Sequence, residues 1–413
     1  MNGNFGSTVR SVLFWTLLMS GPAMAADLNV PETLPAGTTS TAETAASARF
    51  GLGDRSAGLG LSRDYNPAMG ASLLLGGGWL SKDLEKSGLS EGVRELMGET
   101  GLAFHEAEVS MAAAVDPYFR ADLIIAVHNH EGAFAVDIEE GIVTTLCFQG
   151  VTLRAGKFYL PFGRHNALHA HAFPFIDSPL PNRVFFGEEG LNEAAVEASV
   201  LLPLPWFVEW SVDVANGDNV TLFASSKTED LAFSSRLRTL VELSGSTTLE
   251  LGGSYVGGRN VAGGWSHVGG ADLTLKWRPE GRELYHQVVW QSEYIRLMRT
   301  GPHPVLPTGL ADGEEPDATL SGQAEVASGL GGLYSYLAAQ VSRRVWLEGR
   351  FDAMGYPTGD GGSRLHRVSG LLAFVPSEFS AIRLQYSWLK EEAAHAIMVQ
   401  LSVGIGAHPA HGY

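Results

Sequence analysis

From Ala71 to the C-terminus the chain alternates apolar and polar residues in short segments, joined by connections that are alternately tight and long. In Ile382-Arg383-Leu384-Gln385-Tyr386-Ser387-Trp388 every second residue is apolar, and Val399-Gln400-Leu401-Ser402-Val403-Gly404-Ile405-Gly406 repeats the pattern after a short loop. Successive side chains of a strand point to opposite faces, so each segment makes one oily face and one polar face. A soluble sandwich turns the oily face toward a protein core, whereas a transmembrane barrel turns it toward lipid. The connections decide between the two.

Sixteen candidate strands are read at roughly 71–81, 102–115, 120–130, 134–147, 151–162, 191–202, 207–215, 231–243, 247–257, 267–278, 284–297, 329–342, 344–356, 364–375, 381–390 and 395–407. Most have the ~9 to 11 residues that a tilted strand needs to cross a bilayer. Connections after even-numbered strands are short, as at Asp116-Pro117-Tyr118-Phe119, Gln149-Gly150 and Ser244-Gly245-Ser246. Those after odd-numbered strands include all the long ones, at 82–101, 163–190, 216–230 and 298–328. Short turns at the periplasmic end and long loops outside are the barrel pattern, and an even strand count brings both termini to the periplasmic side. Aromatics also gather at the turn end, at Tyr118, Phe119, Trp206, Phe207, Trp277, Trp346, Phe379 and Tyr413, where their amphipathic rings suit a membrane interface. The expected fold is all-β: a transmembrane antiparallel β-barrel of about 16 strands, with a long third external loop folded into the lumen. Glu91–Met97 is expected to form a short helix in the first external loop.

Upstream of the barrel, Arg10, the apolar run from Val12 to Met19 and Ala23-Met24-Ala25 read as a signal peptide over residues 1–25. Residues 26–70, rich in Ala, Thr, Ser, Gly and Pro and without a period, read as a mostly irregular periplasmic N-terminal segment, leaving 71–413 to the barrel. No later stretch approaches 18 consecutive apolar residues, so a membrane-spanning fold must be built from strands. Lys and Arg number 28 against 45 Asp and Glu; without Arg10 the balance is 27 against 45, or −18. That sign excludes nucleic acid as a partner. The single cysteine, Cys147, permits no intrachain disulfide and reads as a small apolar strand residue.

With the oily face on lipid, the polar face lines a lumen. The preferred register points Glu106, Glu108, Asp137, Glu139, Glu193, Glu197, Glu209, Asp213, Glu242, Glu250, Asp272, Glu293, Glu348 and Asp352 inward, with Arg154, Arg236, Arg238, Lys276, Arg278, Arg350, Arg367 and Arg383. Acids dominate the second, fourth, sixth and seventh strands, and Arg236, Arg238, Lys276 and Arg278 lie on the eighth and tenth. Opposed acidic and basic walls set a transverse field across a pore. The alternative is a plugged lumen in which these charges satisfy one another.

The third external loop, 163–190, combines apolar residues and prolines in a length that favours burial, and folded inward it would narrow the lumen through Arg164, Asp177 and Arg183. Its His165, His169 and His171 with Asp177 resemble a metal-ligand set suited to Zn²⁺, the one cofactor the chain suggests; pore-lining or structural histidines are the other reading. His408 and His411 add to the histidine count. No G-x-S-x-G, H-E-x-x-H or P-loop motif occurs, so no catalytic residue is nominated.

Leu153-Arg154-Ala155-Gly156-Lys157-Phe158, then Phe162-Gly163-Arg164-His165-Asn166, His169-Ala170-His171, Asp177-Ser178-Pro179, Gly187-Glu188-Glu189-Gly190-Leu191-Asn192-Glu193 and the terminal Gly406 to Tyr413 resemble a Gram-negative outer-membrane porin-like family of uncharacterised members. The A-G-K-F strand and F-G turn also resemble phosphate-selective porins, although only six lysines occur and no lysine-rich lumen follows. Some similar sequences carry TonB-dependent receptor labels. Such receptors need a plug inside a 22-stranded barrel, and about 45 residues before the first strand are too few for one. The resemblance implies a porin-like barrel of the cell outer membrane without catalytic residues. The expected function is a channel for small polar or ionic solutes, weakly selective and preferring cations. The alternatives are a zinc-binding or zinc-uptake barrel using the loop histidines, and an outer-membrane enzyme. Expected partners are the lipid bilayer, the permeating solutes, the barrel-assembly machinery during biogenesis and, as one open arrangement, further copies in a homotrimer.

Overall fold

A computed structural model describes residues 67–81, 97, 100–130, 133–223, 229–282, 285–300, 328–356 and 364–406. The expectations for 1–25, for 26–66 and for His408, His411 and Tyr413 lie outside the described residues. Of the helix expected at 91–97 only Met97 is described, and it is helical.

Sixteen strands form one closed antiparallel barrel: β1 (Ala68–Leu80), β2 (Gly101–Ala114), β3 (Phe119–His130), β4 (Ala133–Thr145), β5 (Val151–Tyr159), β6 (Asn192–Leu201), β7 (Phe207–Ala215), β8 (Ala232–Ser244), β9 (Thr247–Arg259), β10 (Trp265–Trp277), β11 (Gln287–Arg299), β12 (Ser328–Ser342), β13 (Val345–Met354), β14 (Leu365–Ser377), β15 (Ser380–Leu389) and β16 (Ala394–Gly406). Each strand pairs with its neighbour in sequence, and β1 closes on β16 from Gly70↔Gly406 to Leu80↔Ala396. Closure gives every strand a partner on both sides, as a sheet in lipid requires.

The alternation sets the two faces. Along β15, Ile382, Leu384 and Tyr386 are exposed outside while Arg383, Gln385 and Ser387 are buried inside. At the turn end Tyr118, Phe119, Trp206, Trp277 and Phe379 are exposed as an interfacial belt requires. Trp346 departs from that expectation. It lies one residue inside β13, in the inward register, and is 8% exposed.

Two bulges break the period on one side of the barrel. In β2, Leu74 pairs with Glu106 and Leu75 with Phe104, leaving His105 over. In β4, Ile124 pairs with Glu140 and Ile125 with Ile138, leaving Glu139 over. A bulge shifts the side-chain parity beyond it. Phe134, Val136 and Ile138 are therefore exposed outside, whereas Ile142 is buried, and Glu139 and Glu140 both turn inward.

Beside the second bulge, β4 and β5 share only four rungs, Gly141↔Lys157 to Thr144↔Arg154. Gly156, the glycine of the A-G-K-F segment, has φ +141°, and a Cβ there would lie 1.8 Å from the Gly141 carbonyl oxygen. Only glycine permits this approach.

Candidate functional site

Residues 160–191, between β5 and β6, cross the lumen instead of extending away from it. Gly163 starts the crossing with φ +59°; a side chain there would collide with the Glu293 carboxylate, and its N–H donates to Ser254 Oγ at 3.0 Å. The next two backbone N–H groups, of Arg164 and His165, donate to Glu293 Oε2 at 3.1 and 3.4 Å. Farther on, a short helix, Leu180–Phe186, starts with Pro181 in its first turn and stops at Gly187 with φ +80°. Its Leu180, Phe185 and Phe186 join Phe158, Leu160 and Phe162 and the inward-facing Val256, Val268, Ile295, Leu297, Met354 and Leu365 in one apolar cluster. That core occupies the interior toward the long-loop end, so charge does not line the whole lumen.

On the β13–β15 wall the crossing is held by ions. Asp177 accepts from Arg350 Nη2 at 2.7 Å, Arg367 Nη1 at 2.6 Å and Gln385 Nε2 at 2.7 Å. Asp352 Oδ2 receives both arginines from the other side, each through Nε at 3.0 Å. Arg367 also donates to the Ser178 carbonyl at 2.7 Å, and Arg383 to that of Phe173 at 2.5 Å. Burial alone would raise the Asp177 pKa, but Arg350 and Arg367 hold it below the usual carboxylate value.

On the β2–β4 wall the crossing meets acids. His171 Nδ1 is 2.7 Å from Glu108 Oε1. His169 lies 3.1 Å from Glu139, 3.6 Å from Glu140 and 3.9 Å from Glu108. Burial opposes protonation of His169, but the adjacent Glu139 and Glu140 carboxylates outweigh it and push its pKa up to about 11. Tyr159 donates to Glu139 Oε1 at 2.5 Å, and His128 lies 3.3 Å from Glu106.

His165 belongs to neither wall's ion set. It is buried, with its ring 4.4 Å from that of Phe173 and its Nε2 3.2 Å from Ser178 Oγ. Burial lowers its pKa to about 3; Arg350 adds to the shift and Asp177 opposes it. The unfolded ring therefore binds its proton first, near 6.5. Stability should fall as pH drops below that value, by about 1.4 kcal/mol per pH unit until the folded ring also titrates. His165→Gln should flatten this acid limb in thermal melts of the detergent-solubilised protein between pH 7 and about pH 4. A constant difference between wild type and variant across that range would contradict the assignment.

The structure thus divides the four residues read as a metal-ligand set: His169 and His171 face Glu108 and Glu139, Asp177 is taken by arginines, and His165 is packed away. Of the residues expected to line the constriction, Glu106, Glu108 and Glu139 come together, while Asp137, on the far side of the bulge, is exposed. Glu193 accepts three backbone N–H groups, from Gly217, Asp218 and Asn219, and so anchors the β7–β8 loop. Arg154 pairs with Glu197 at 2.6 Å, Arg164 with Glu250 at 3.3 Å and Arg183 with Glu188 at 3.0 Å. The expected basic wall on β8 and β10 is largely neutralised in place: Arg236 forks onto Asp272 at 2.8 and 3.0 Å, Arg238 pairs with Glu209 at 3.0 Å, and Arg278 donates to Gln287 at 2.9 Å. Arg238 meets Glu209 across the β7–β8 pairing, Arg236 reaches Asp272 two strands away, and the Arg278 partner is a neutral amide. Lys276 lines a cavity of about 40 Å³ beneath the crossing, with Arg164, Gln291, Tyr336, Trp346 and Glu348. That holds about three waters. Three arginines on adjacent strands, Arg350, Arg367 and Arg383, form the basic wall that engages the crossing. Their inward register is plain in the alternation; their partner in the loop is not.

A closed barrel of sixteen antiparallel strands has the fold of the outer-membrane porins. An anion-selective porin from Comamonas acidovorans superposes with a TM-score of 0.54 at 9% identity, over 82% of this chain and 99% of that one. OmpF of Salmonella typhi does so with a TM-score of 0.53 at 9% identity, over 84% and 99%. An uncharacterised protein of Aquifex aeolicus is 28% identical over 359 residues, 77% of this chain and 71% of that protein. No family model matches the chain.

Proposed function

We propose that the chain is an outer-membrane channel for small polar or ionic solutes, with residues 160–191 as its constriction. The observation that carries this reading is the crossing itself, tied to Glu108 and Glu139 on one wall and to Arg350, Arg367 and Arg383 on another, inside a barrel whose outer face is apolar. The apolar cluster fills part of the interior, so the water path runs past the charged faces of the crossing. Acids outnumber bases there, which favours cations over anions.

Purified protein in planar bilayers should give stepwise conductance, and a salt gradient should give a reversal potential of cationic sign. Absence of steps under conditions that open control porins would defeat the channel reading, and a clear anionic potential would defeat the charge reading.

A further inference from the structure

The acid–imidazole cluster on the β2–β4 wall has a geometry that ion pairing alone does not explain. Ligand atoms of Glu106, Glu108 and His171 lie within 4.8 Å of one another, and so do those of Glu108, Glu139 and His169, so that Glu108 belongs to both triplets. The three carboxylates are buried, Glu108 being 3% exposed, and their charge partners are the imidazoles of His128, His169 and His171. Confining several carboxylates at such distances is costly unless cations compensate them.

Two features point to a ligand among these groups. Glu106 Oε1 is fully buried and has no hydrogen-bond partner among the described residues. Glu139 Oε2 and His169 Nδ1 are 3.1 Å apart, yet neither makes a hydrogen bond. Two ligands aimed at a third atom look like this; a donor aligned with its acceptor does not. The outer oxygens are occupied in the manner of metal-site carboxylates: Tyr159 donates to Glu139 Oε1, and His128 sits beside Glu106 Oε2.

We infer that Glu106, Glu108, Glu139, His169 and His171 bind a divalent transition-metal ion of the zinc class, which fastens the lumen crossing to the β2–β4 wall. An imidazole with carboxylates, as in each triplet, suits such an ion, whereas Ca²⁺ and Mg²⁺ take oxygen sets. The site does not depend on what the barrel conducts.

The test is calorimetry with Zn²⁺ on the full chain, purified in detergent and stripped with a chelator, together with visible absorption of the Co²⁺-loaded protein. One ion per chain should bind, with Co²⁺ bands of a low-coordinate nitrogen–oxygen site. A Glu108→Ala/His171→Ala variant should lose about 100-fold or more in affinity, and Tyr159→Phe, which keeps the ring, about 10-fold. His165→Ala should stay within about 3-fold, since that ring lies outside the cluster. Heats unchanged in the double variant would place Zn²⁺ elsewhere and overturn the inference, as would no heat in the wild type or equal competition by Ca²⁺. If the double variant fails to show the heat-modifiable gel shift of a folded barrel, the Tyr159→Phe result decides: unchanged affinity overturns the site.

Discussion

Asp177→Ala should raise the single-channel conductance severalfold and release the lumen crossing to protease. In the wild type this one carboxylate is hydrogen-bonded to Arg350, Arg367 and Gln385, and both guanidiniums are 1% exposed. Removing it leaves Asp352 as the carboxylate that the two buried cations still share. Breaking a buried pair from one side costs about 3 to 5 kcal/mol, because the remaining charge keeps its desolvation penalty. The barrel has its strand pairing to fall back on, whereas the crossing does not, so the cost falls on docking of the crossing. Asp177→Asn, which keeps the shape and some hydrogen bonds, should give a smaller rise. Bilayer conductance with limited proteolysis checks both. Unchanged conductance with a protected crossing would mean that the apolar cluster, not the ions, holds it in place.

Gly156→Ala should strongly reduce the yield of folded barrel. The added methyl meets the Gly141 carbonyl oxygen at 1.8 Å in a backbone conformation, φ +141°, that alanine resists. Relief requires moving β4 away from β5, and those strands share only four rungs. The cost should reach about 3 kcal/mol or more, from backbone strain and overpacking together. Gly253→Ala is the matched control: it lies in β9 with nothing within 4 Å of the added carbon, so its effect should stay within about 0.5 kcal/mol. Urea titrations in detergent, read by the gel shift of the folded form, separate the two. Equal behaviour of both variants would show that the β4–β5 seam yields at little cost.

The barrel was legible in the chain because lipid and lumen impose opposite demands on alternate residues, and connection lengths report which end a strand has reached. Closure and strand number follow from those two patterns, and the inward fold of the third loop, read at 163–190, from its apolar residues, prolines and length. The pairing of charges was less so. Arg236 and Asp272 sit on strands two apart and meet only once β9 presents the small Gly252 and Ser254 between them. Asp177 is separated from its arginines by 173 and 190 residues, and nothing near it in sequence distinguishes it from a metal ligand. Glu140 joined the interior through a bulge whose trace is the doublet Glu139-Glu140, a break in the period that strict alternation passes over. Trp346 shows the same limit from the other side: an aromatic at a strand end fits the interface belt by composition, yet its parity turns it inward.

The long reach of Asp177 also orders events in time. Its partners lie on β13, β14 and β15, so in a chain emerging from its N-terminus Asp177 has no partner until nearly the whole sheet exists, although His169 and His171 can already meet β2 and β4. Contacts of such sequence separation are expensive to close early. The Asp177 side of the crossing can be fastened only after β13 to β15 have been added. Docking of Asp177 is thus a signal that β13 to β15 are in place.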